Sequence, residues 1–187
     1  MKSAETYKII RTVVAPWFKS HGFLRSKRGA LCWNKKISED EFFVIWFQTY
    51  PSYDWAAGGS FTMEFQLSTS AQMGAFGDLC VRHRLPNVMT DGELESVRIM
   101  QNKVRSKLIK PSRSHWIYQC RQGMIDHFLG KFEQIESWNQ PNYKNLLWFQ
   151  YKDGQDVNMW AEYILELMPC AIERMETLYG EQIGCSI

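Results

Sequence analysis

The chain has 187 residues and lacks most of the features that announce a function. No C-x-x-C pair occurs, and its five cysteines (Cys32, Cys80, Cys120, Cys170 and Cys185) are odd in number and widely spaced. That pattern argues against a zinc ribbon and a disulfide framework, and reads as reduced thiols in a cytoplasmic protein. The longest apolar run is the six residues 42–47, against the ~20 that a bilayer-spanning helix needs. The opening stretch MKSAETYKII has no apolar core of the secretory-signal kind, so no membrane partner is expected. There is no G-x-S-x-G elbow, lysine-bearing P-loop, G-x-G-x-x-G turn, H-E-x-x-H pair or EF-hand loop. Catalysis by those routes, a metal site and a bound cofactor are therefore not expected. A net charge of +2 names no partner.

What is abundant is apolar and aromatic surface: 45% and 14% of residues, with eight tryptophans. A single domain over residues 1–187 can bury roughly 70% of its unfolded-chain surface, so it needs no covalent staple. Residues 41–70 concentrate this surface. They read FFVIWFQTY, then a loop PSYDWAAGGS containing Pro51 and Gly58-Gly59, then FTMEFQLS. Two strands joined by a turn-rich connection follow. Phe61, Met63, Phe65 and Leu67 alternate with Thr62, Glu64, Gln66 and Ser68. Phe43, Ile45 and Phe47 alternate with Phe42, Val44, Trp46, Gln48 and Tyr50. One face therefore buries seven large apolar side chains, at roughly 1.5–3 kcal/mol each. The opposite face is mixed, with Trp46, Gln48, Glu64 and Gln66 as candidate neighbours.

Upstream, Ser3 is placed to cap a helix with Glu5 in its first turn, and Tyr7, Ile10, Val14, Trp17 and Phe18 fall at helical spacing. Pro16 distorts or shortens its last turns, and Gly22 stops it. Phe23 opens the sheet, the run with Arg25, Lys27 and Arg28 suits an exposed edge, and residues 30–36 form a second strand. Short connections demand antiparallel pairing. The predicted class is α+β: a small antiparallel meander of four to five strands, covered on one face by helices from both termini.

Downstream, residues 70–89 read as a loop with one short helical turn, around Gly74, Phe76, Gly77 and Pro86. Thr90-Asp91-Gly92-Glu93 fits a capping box, followed by Leu94, Val97, Val104 and Leu108 on one face up to Pro111. Residues 114–118 read as a short extended segment. A helix is predicted over 121–137, striped by Met124, Ile125, Phe128, Leu129, Phe132 and Ile135. Residues 90–137 thus form a helical subregion or insertion. A loop around Pro141 leads to a strand at 146–151. A last helix starts near Asp156, is interrupted by Pro169 and closes at Gly180. The tripeptide Trp-Phe-Gln recurs at 46–48 and 148–150 in unlike surroundings and reads as coincidence.

Residues 96–125 contain no acid but seven bases: Arg98, Lys103, Arg105, Lys107, Lys110, Arg113 and Arg121. Two readings are open. The stretch binds a polyanion, or its cations serve the helix dipole and an acidic C-terminal helix lying alongside. Cys120 and His127, seven apart, suit one helix face, but two ligands do not make a zinc site. Glu64 beside Gln66 suits substrate positioning, yet a lone carboxylate lacks the partner of acid–base work. The loop with Tyr50, Tyr53 and Trp55 either presents a contact surface or folds back over the hairpin end.

The succession APWFKSHGF, LCWNKK, FFVIWFQTY and FTMEFQLS resembles the bacterial family called domain of unknown function 4304. Its members have a helix ending in a Gly-Phe step, then a strand with an aromatic residue. A strand ending in glutamine (here Gln48) and a strand of alternating Phe and Leu follow. The resemblance covers residues 5–70, and loosely 148–156 and the final helix; the basic middle departs from it. It implies an α+β fold with a small antiparallel sheet and no assigned activity, so no catalytic residue carries over. The leading expectation is a non-enzymatic module that binds another protein, of the inhibitor or toxin-neutralising, immunity-like kind. Its contact residues would be Trp46, Gln48, Tyr50, Tyr53, Trp55, Glu64 and Gln66. The alternatives are nucleic-acid binding through Arg98, Lys103, Arg105, Lys107, Lys110 and Arg113, and a small-molecule or catalytic pocket on the polar sheet face.

Overall fold

A computed structural model describes residues 1–26, 30–50, 53–74, 80–138 and 142–184, with side chains as far as Gly180. Lys27, Arg28, Pro51, Phe76, Gly77, Pro141 and Cys185 lie outside the described residues. Helix α1 (Ser3–Ser20) turns Ile10, Val14 and Phe18 fully inward. Its N-cap is Lys2 rather than Ser3, because Glu5 reaches back to accept the Lys2 N–H at 2.6 Å. Pro16 stays within the helix. Gly22, at φ +79°, takes the chain out, while the Phe23 N–H closes on the Phe18 carbonyl at 2.9 Å.

Six antiparallel strands form one sheet: β1 (Leu24–Arg25), β2 (Leu31–Lys36), β3 (Phe42–Thr49), β4 (Gly59–Ser68), β5 (Val81–Arg84) and β6 (Phe149–Tyr151). The first five pair in chain order. Because β3 occupies one edge of β4, β5 and β6 share the other, end to end: β5 beside Glu64 to Leu67, β6 beside Gly59 to Phe61. The register sets Phe43 opposite Leu67, Ile45 opposite Phe65 and Phe47 opposite Met63. With Phe61 they make one wall of seven side chains, each at most 1% exposed.

Helices from both ends cover that wall. α1 brings Ile10, Val14 and Phe18, and α5 (Gly154–Gly184) brings Val157, Trp160, Ile164, Met168 and Met175. Helix α2 (Asp91–Arg105) adds Leu94 and Val97 to the same core. The predicted capping box is present: Thr90 Oγ1 accepts the Glu93 N–H at 3.3 Å, and the Glu93 carboxylate accepts the Thr90 N–H at 2.7 Å. Among the described residues no helix is long and apolar enough to cross a membrane.

Several boundaries differ from the sequence reading. Strand β5 was expected as loop; its Arg82-His83-Arg84 run masks a strand whose only buried apolar residue is Val81. α2 stops at Arg105, six residues before Pro111. Residues 114–118 are not extended, since a 3-10 turn occupies Trp116–Gln119. The helix expected to reach 137 is only α3 (Gln122–Leu129) and a 3-10 turn (Gly130–Phe132). Of its stripe, Phe128 alone is buried, and Met124 faces solvent. A short α4 (Tyr143–Leu146) takes the start of the strand expected at 146. Helix α5 runs through both Pro169 and Gly180 for 31 residues. An interior proline costs about 3 kcal/mol. The burial of Ile164, Met168, Ala171 and Met175 around it, at roughly 1.5–3 kcal/mol for each large side chain, outweighs that.

In urea titrations Phe65→Ala should lower the unfolding free energy by about 3–5 kcal/mol, and Thr90→Ala by about 1 kcal/mol. A loss for Phe65→Ala no larger than that for Thr90→Ala would contradict the seven-residue wall as the core.

Candidate functional site

The polar face of β4 is not a free surface. Glu64 is 2% exposed and Trp46 4%, and Gln66 is fully buried; of the four residues expected to present a contact face, only Gln48 is exposed. The reason lies in β5. Arg82 crosses to the Glu64 carboxylate at 2.6 Å and lays its guanidinium over the Trp46 ring at 5.0 Å, and Arg84 Nε stands 3.5 Å from the same carboxylate. The Gln66 amide donates to Ser68 Oγ and to the Gln72 carbonyl, both at 2.8 Å. A buried carboxylate is tolerated only with such partners, so Glu64 is a structural anion.

The loop before β4 folds back in part. Tyr53 stacks on Tyr151 and donates its hydroxyl to the Lys152 carbonyl at 2.9 Å. Tyr50 packs edge-on against Trp148 at 5.8 Å, while Trp55 stays 60% exposed. Asp54 organises the turn. Burial alone would raise its pKa, but the Ala57 and Ala56 N–H groups, the Trp116 indole and His115 hold it below the ordinary value. His115 Nε2 stands 3.2 Å from the Asp54 carboxylate, and His115 Nδ1 accepts the Ile117 N–H at 3.3 Å. Nε2 meets that carboxylate as a close polar neighbour without a hydrogen bond among the described residues. The pair clamps the loop to the 116–119 turn.

Beside this clamp lies a cavity of about 410 Å³. Its floor is the β4–β6 junction, through Gly59, Ser60 and Gln150; its walls are Gln101 and Arg105 from α2, His127 and Lys131 from α3 and its following turn, and Ile135, Trp138, Leu147 and Trp148. A second hollow of about 240 Å³ shares Arg105, Ile135, Trp138 and Leu147 and so continues the cavity. α2 builds this region with two faces. Gln101, in its buried stripe, donates to the Trp148 carbonyl and accepts the Gln150 N–H, both at 3.1 Å, standing in for a further strand at the β6 edge. On the adjoining face, Arg98, Asn102 and Arg105 lie three and four residues apart and grip the irregular segment 130–135. Arg98 and Asn102 donate to the Ile135 carbonyl, and Arg105 Nη1 donates to the carbonyls of Gly130 at 3.1 Å and Glu133 at 2.6 Å.

The electrostatics of the cavity are one-sided. Among the described residues no aspartate or glutamate lines it. Burial depresses the Lys131 pKa, with Asp54 opposing and Arg105 adding to the shift, and burial likewise lowers that of Arg105. Neither cation has a carboxylate within ion-pair reach among the described residues. Lys131 Nζ rests instead over the rings of Tyr50 at 5.5 Å and Phe128 at 5.7 Å. Two buried donors in this wall, Arg105 Nε and Trp138 Nε1, have no hydrogen-bond partner. A larger, open groove between α1 and Tyr53 carries Glu5 and Asp153 against Lys8 and Lys152, so its charges cancel.

Of the residues expected to contact a partner, only Tyr50 reaches the cavity. Of the six expected to bind nucleic acid, Arg105 alone lines it; Arg98 serves Glu95 and the Ile135 carbonyl, and Lys107 pairs with buried Asp156 on α5. Lys103, Lys110 and Arg113 are exposed and make no ion pair among the described residues. Cys120 and His127 do not share a helix, since Cys120 caps the 116–119 turn. Among the described residues no group of three metal-ligating side chains occurs. Lys131, Trp138 and Gln101 carried no sequence signal, and Trp148 and Gln150 stood out only as part of the recurring Trp-Phe-Gln, because the five converge from four separate segments. Comparison with protein-family models, with curated proteins and with solved structures finds no match.

A folded-state pKa of Lys131 below its ordinary 10.5 means that the folded chain holds this proton less firmly than the unfolded chain. Its contribution to stability therefore rises with pH until 10.5 is passed. Lys131→Met should gain most in melting temperature relative to wild type at pH 7, and the difference should shrink toward pH 10.5. A difference independent of pH would contradict a desolvated ammonium.

Proposed function

We propose that the protein is a binding module for a small organic anion with a planar apolar portion, held in the cavity between α2, α3 and β6. The observation that carries the reading is the set of cations and donors in one wall without partners among the described residues: Lys131 with no acid within ion-pair reach, and the buried Arg105 Nε and Trp138 Nε1 with no acceptor. Buried donors are normally satisfied, and an exception calls for an absent acceptor. The volume falls in the range of small-molecule pockets, about 300–1,000 Å³, and Trp148, Trp138, Ile135 and Leu147 offer flat apolar walls. Binding is favoured over catalysis because no hydrogen bond couples Ser60 to His127, the nucleophile and base candidates of the lining. A reducing cytoplasm is the proposed setting, in keeping with Cys32, Cys120 and Cys170, which form no disulfide among the described residues.

A second reading, docking to another protein of the inhibitor or immunity-like kind, draws support from Trp55 and Trp116. Both are more than half exposed and both flank the His115 ring, at 5.7 and 5.5 Å. Exposed tryptophans are frequent interface anchors.

The two readings separate by experiment. Titration with 1-naphthoate, followed by quenching of tryptophan fluorescence and by calorimetry, should show binding at least about tenfold tighter than the neutral 1-naphthamide, a difference of about 1.4 kcal/mol. Arg105→Lys and Lys131→Met should each weaken naphthoate binding, and Trp55→Ser with Trp116→Ser should leave it unchanged. Equal affinity for acid and amide in the wild-type protein would overturn the cavity reading.

A further inference from the structure

We infer that the anion this cavity takes is a phosphate monoester of an aromatic or heteroaromatic group, rather than a carboxylate; the inference rests on the cavity reading above. Three features of the wall set the class. The first is charge. Among the described residues Arg105 and Lys131 line the cavity without a carboxylate within ion-pair reach, and no acid lines it. Asp54 and Glu133 act on the two cations only from outside the lining. One carboxylate would leave a desolvated cation uncompensated. A phosphate monoester carries about −1.5 to −2 charges at pH 7 and matches both.

The second feature is the donor geometry. Arg105 Nη1 is spent on the Gly130 and Glu133 carbonyls. That fixes the guanidinium plane, and its buried Nε has no partner among the described residues. Trp138 Nε1, in a residue that also lines the cavity, is a second buried donor without a partner among the described residues, and the Lys131 ammonium adds three N–H groups. A carboxylate has two oxygens for these donors, whereas a phosphate monoester has three terminal oxygens that diverge from one centre and accept from three directions. The third feature is space. About 410 Å³ is far more than an inorganic anion fills, and the remainder is bounded by Trp148, Leu147 and Ile135. Trp148 is already held rigid, with the Arg84 guanidinium 5.2 Å over its ring and Tyr50 edge-on. A preordered indole beside a cationic corner suits a flat ring attached to a phosphoryl group.

Four probes test this by calorimetry at pH 7.5 and fixed salt: 1-naphthyl phosphate, 1-naphthoate, inorganic phosphate and 1-naphthamide. The expected order is naphthyl phosphate at least about tenfold tighter than naphthoate, with inorganic phosphate and naphthamide weakest. In Lys131→Met the preference for phosphate over carboxylate should fall to about threefold or less, while naphthoate still binds. That pattern also confirms that the variant folds. Naphthoate binding as tightly as naphthyl phosphate overturns this inference and leaves the cavity reading standing. Neither anion exceeding naphthamide overturns both. Inorganic phosphate binding as tightly as naphthyl phosphate reduces the site to an anion hole and also overturns the inference. Competition against bound naphthyl phosphate then separates the sources of such an ester. Displacement by adenosine 5′-monophosphate supports a nucleotide, displacement by O-phospho-L-tyrosine supports a phosphorylated side chain, and displacement by neither counts against the proposal.

Discussion

Strand β4 is buried on both faces, and the rest of the molecule answers that constraint. Its alternation puts Phe61, Met63, Phe65 and Leu67 against the helices. By the two-residue period of a strand, Thr62, Glu64, Gln66 and Ser68 must then point the other way, and these too are almost without solvent contact. Burying a polar group costs free energy unless it is hydrogen-bonded, though Thr62 Oγ1 has no partner among the described residues. Glu64 therefore requires the arginines of β5, and Gln66 requires Ser68 and the Gln72 carbonyl. The arginine pair within the stretch that read as a loop is the counter-charge of a buried strand, and Arg82 at the same time covers Trp46.

The same logic explains the basic middle of the chain. The last ten residues of helix α2 carry no acid, and several of the cations in and just after the helix serve the fold. Arg98 and Arg105 hold the irregular segment 130–135 by its carbonyls, and Lys107 answers the buried carboxylate of Asp156. An irregular segment has no ladder for its own backbone groups, so side chains must supply it. Holding that segment away from β6 leaves a space between them, and the residues that line the space inherit the helix's positive charge without a balancing acid. The cavity is thus a by-product of how the loop is supported. Its charge is the basis of the anion-binding proposal.

Legibility followed the range of the interactions. The α+β class, the hairpin wall of seven side chains, the Thr90–Glu93 capping box and the Gly22 exit rest on local rules of period, capping and backbone freedom, and all are present. Strand β5 escaped because its side chains are charged, and charge reads as loop until its partner on a neighbouring strand is known. Helix α5 passed through Pro169 because packing on both sides outweighed a local penalty.

By itself the sequence determined which residues alternate, where helices begin, and that one strand pair would carry the core, since each depends on neighbours a few positions apart. Only the tertiary structure decided that the polar sheet face is closed, that the tyrosine and tryptophan loop is clamped by Asp54 and His115, and that Arg105, Lys131 and Trp138 meet around one space. Those outcomes are sums over residues far apart in the chain. The electrostatic surroundings of a side chain are set by which distant groups arrive beside it, and no spacing along the sequence encodes that.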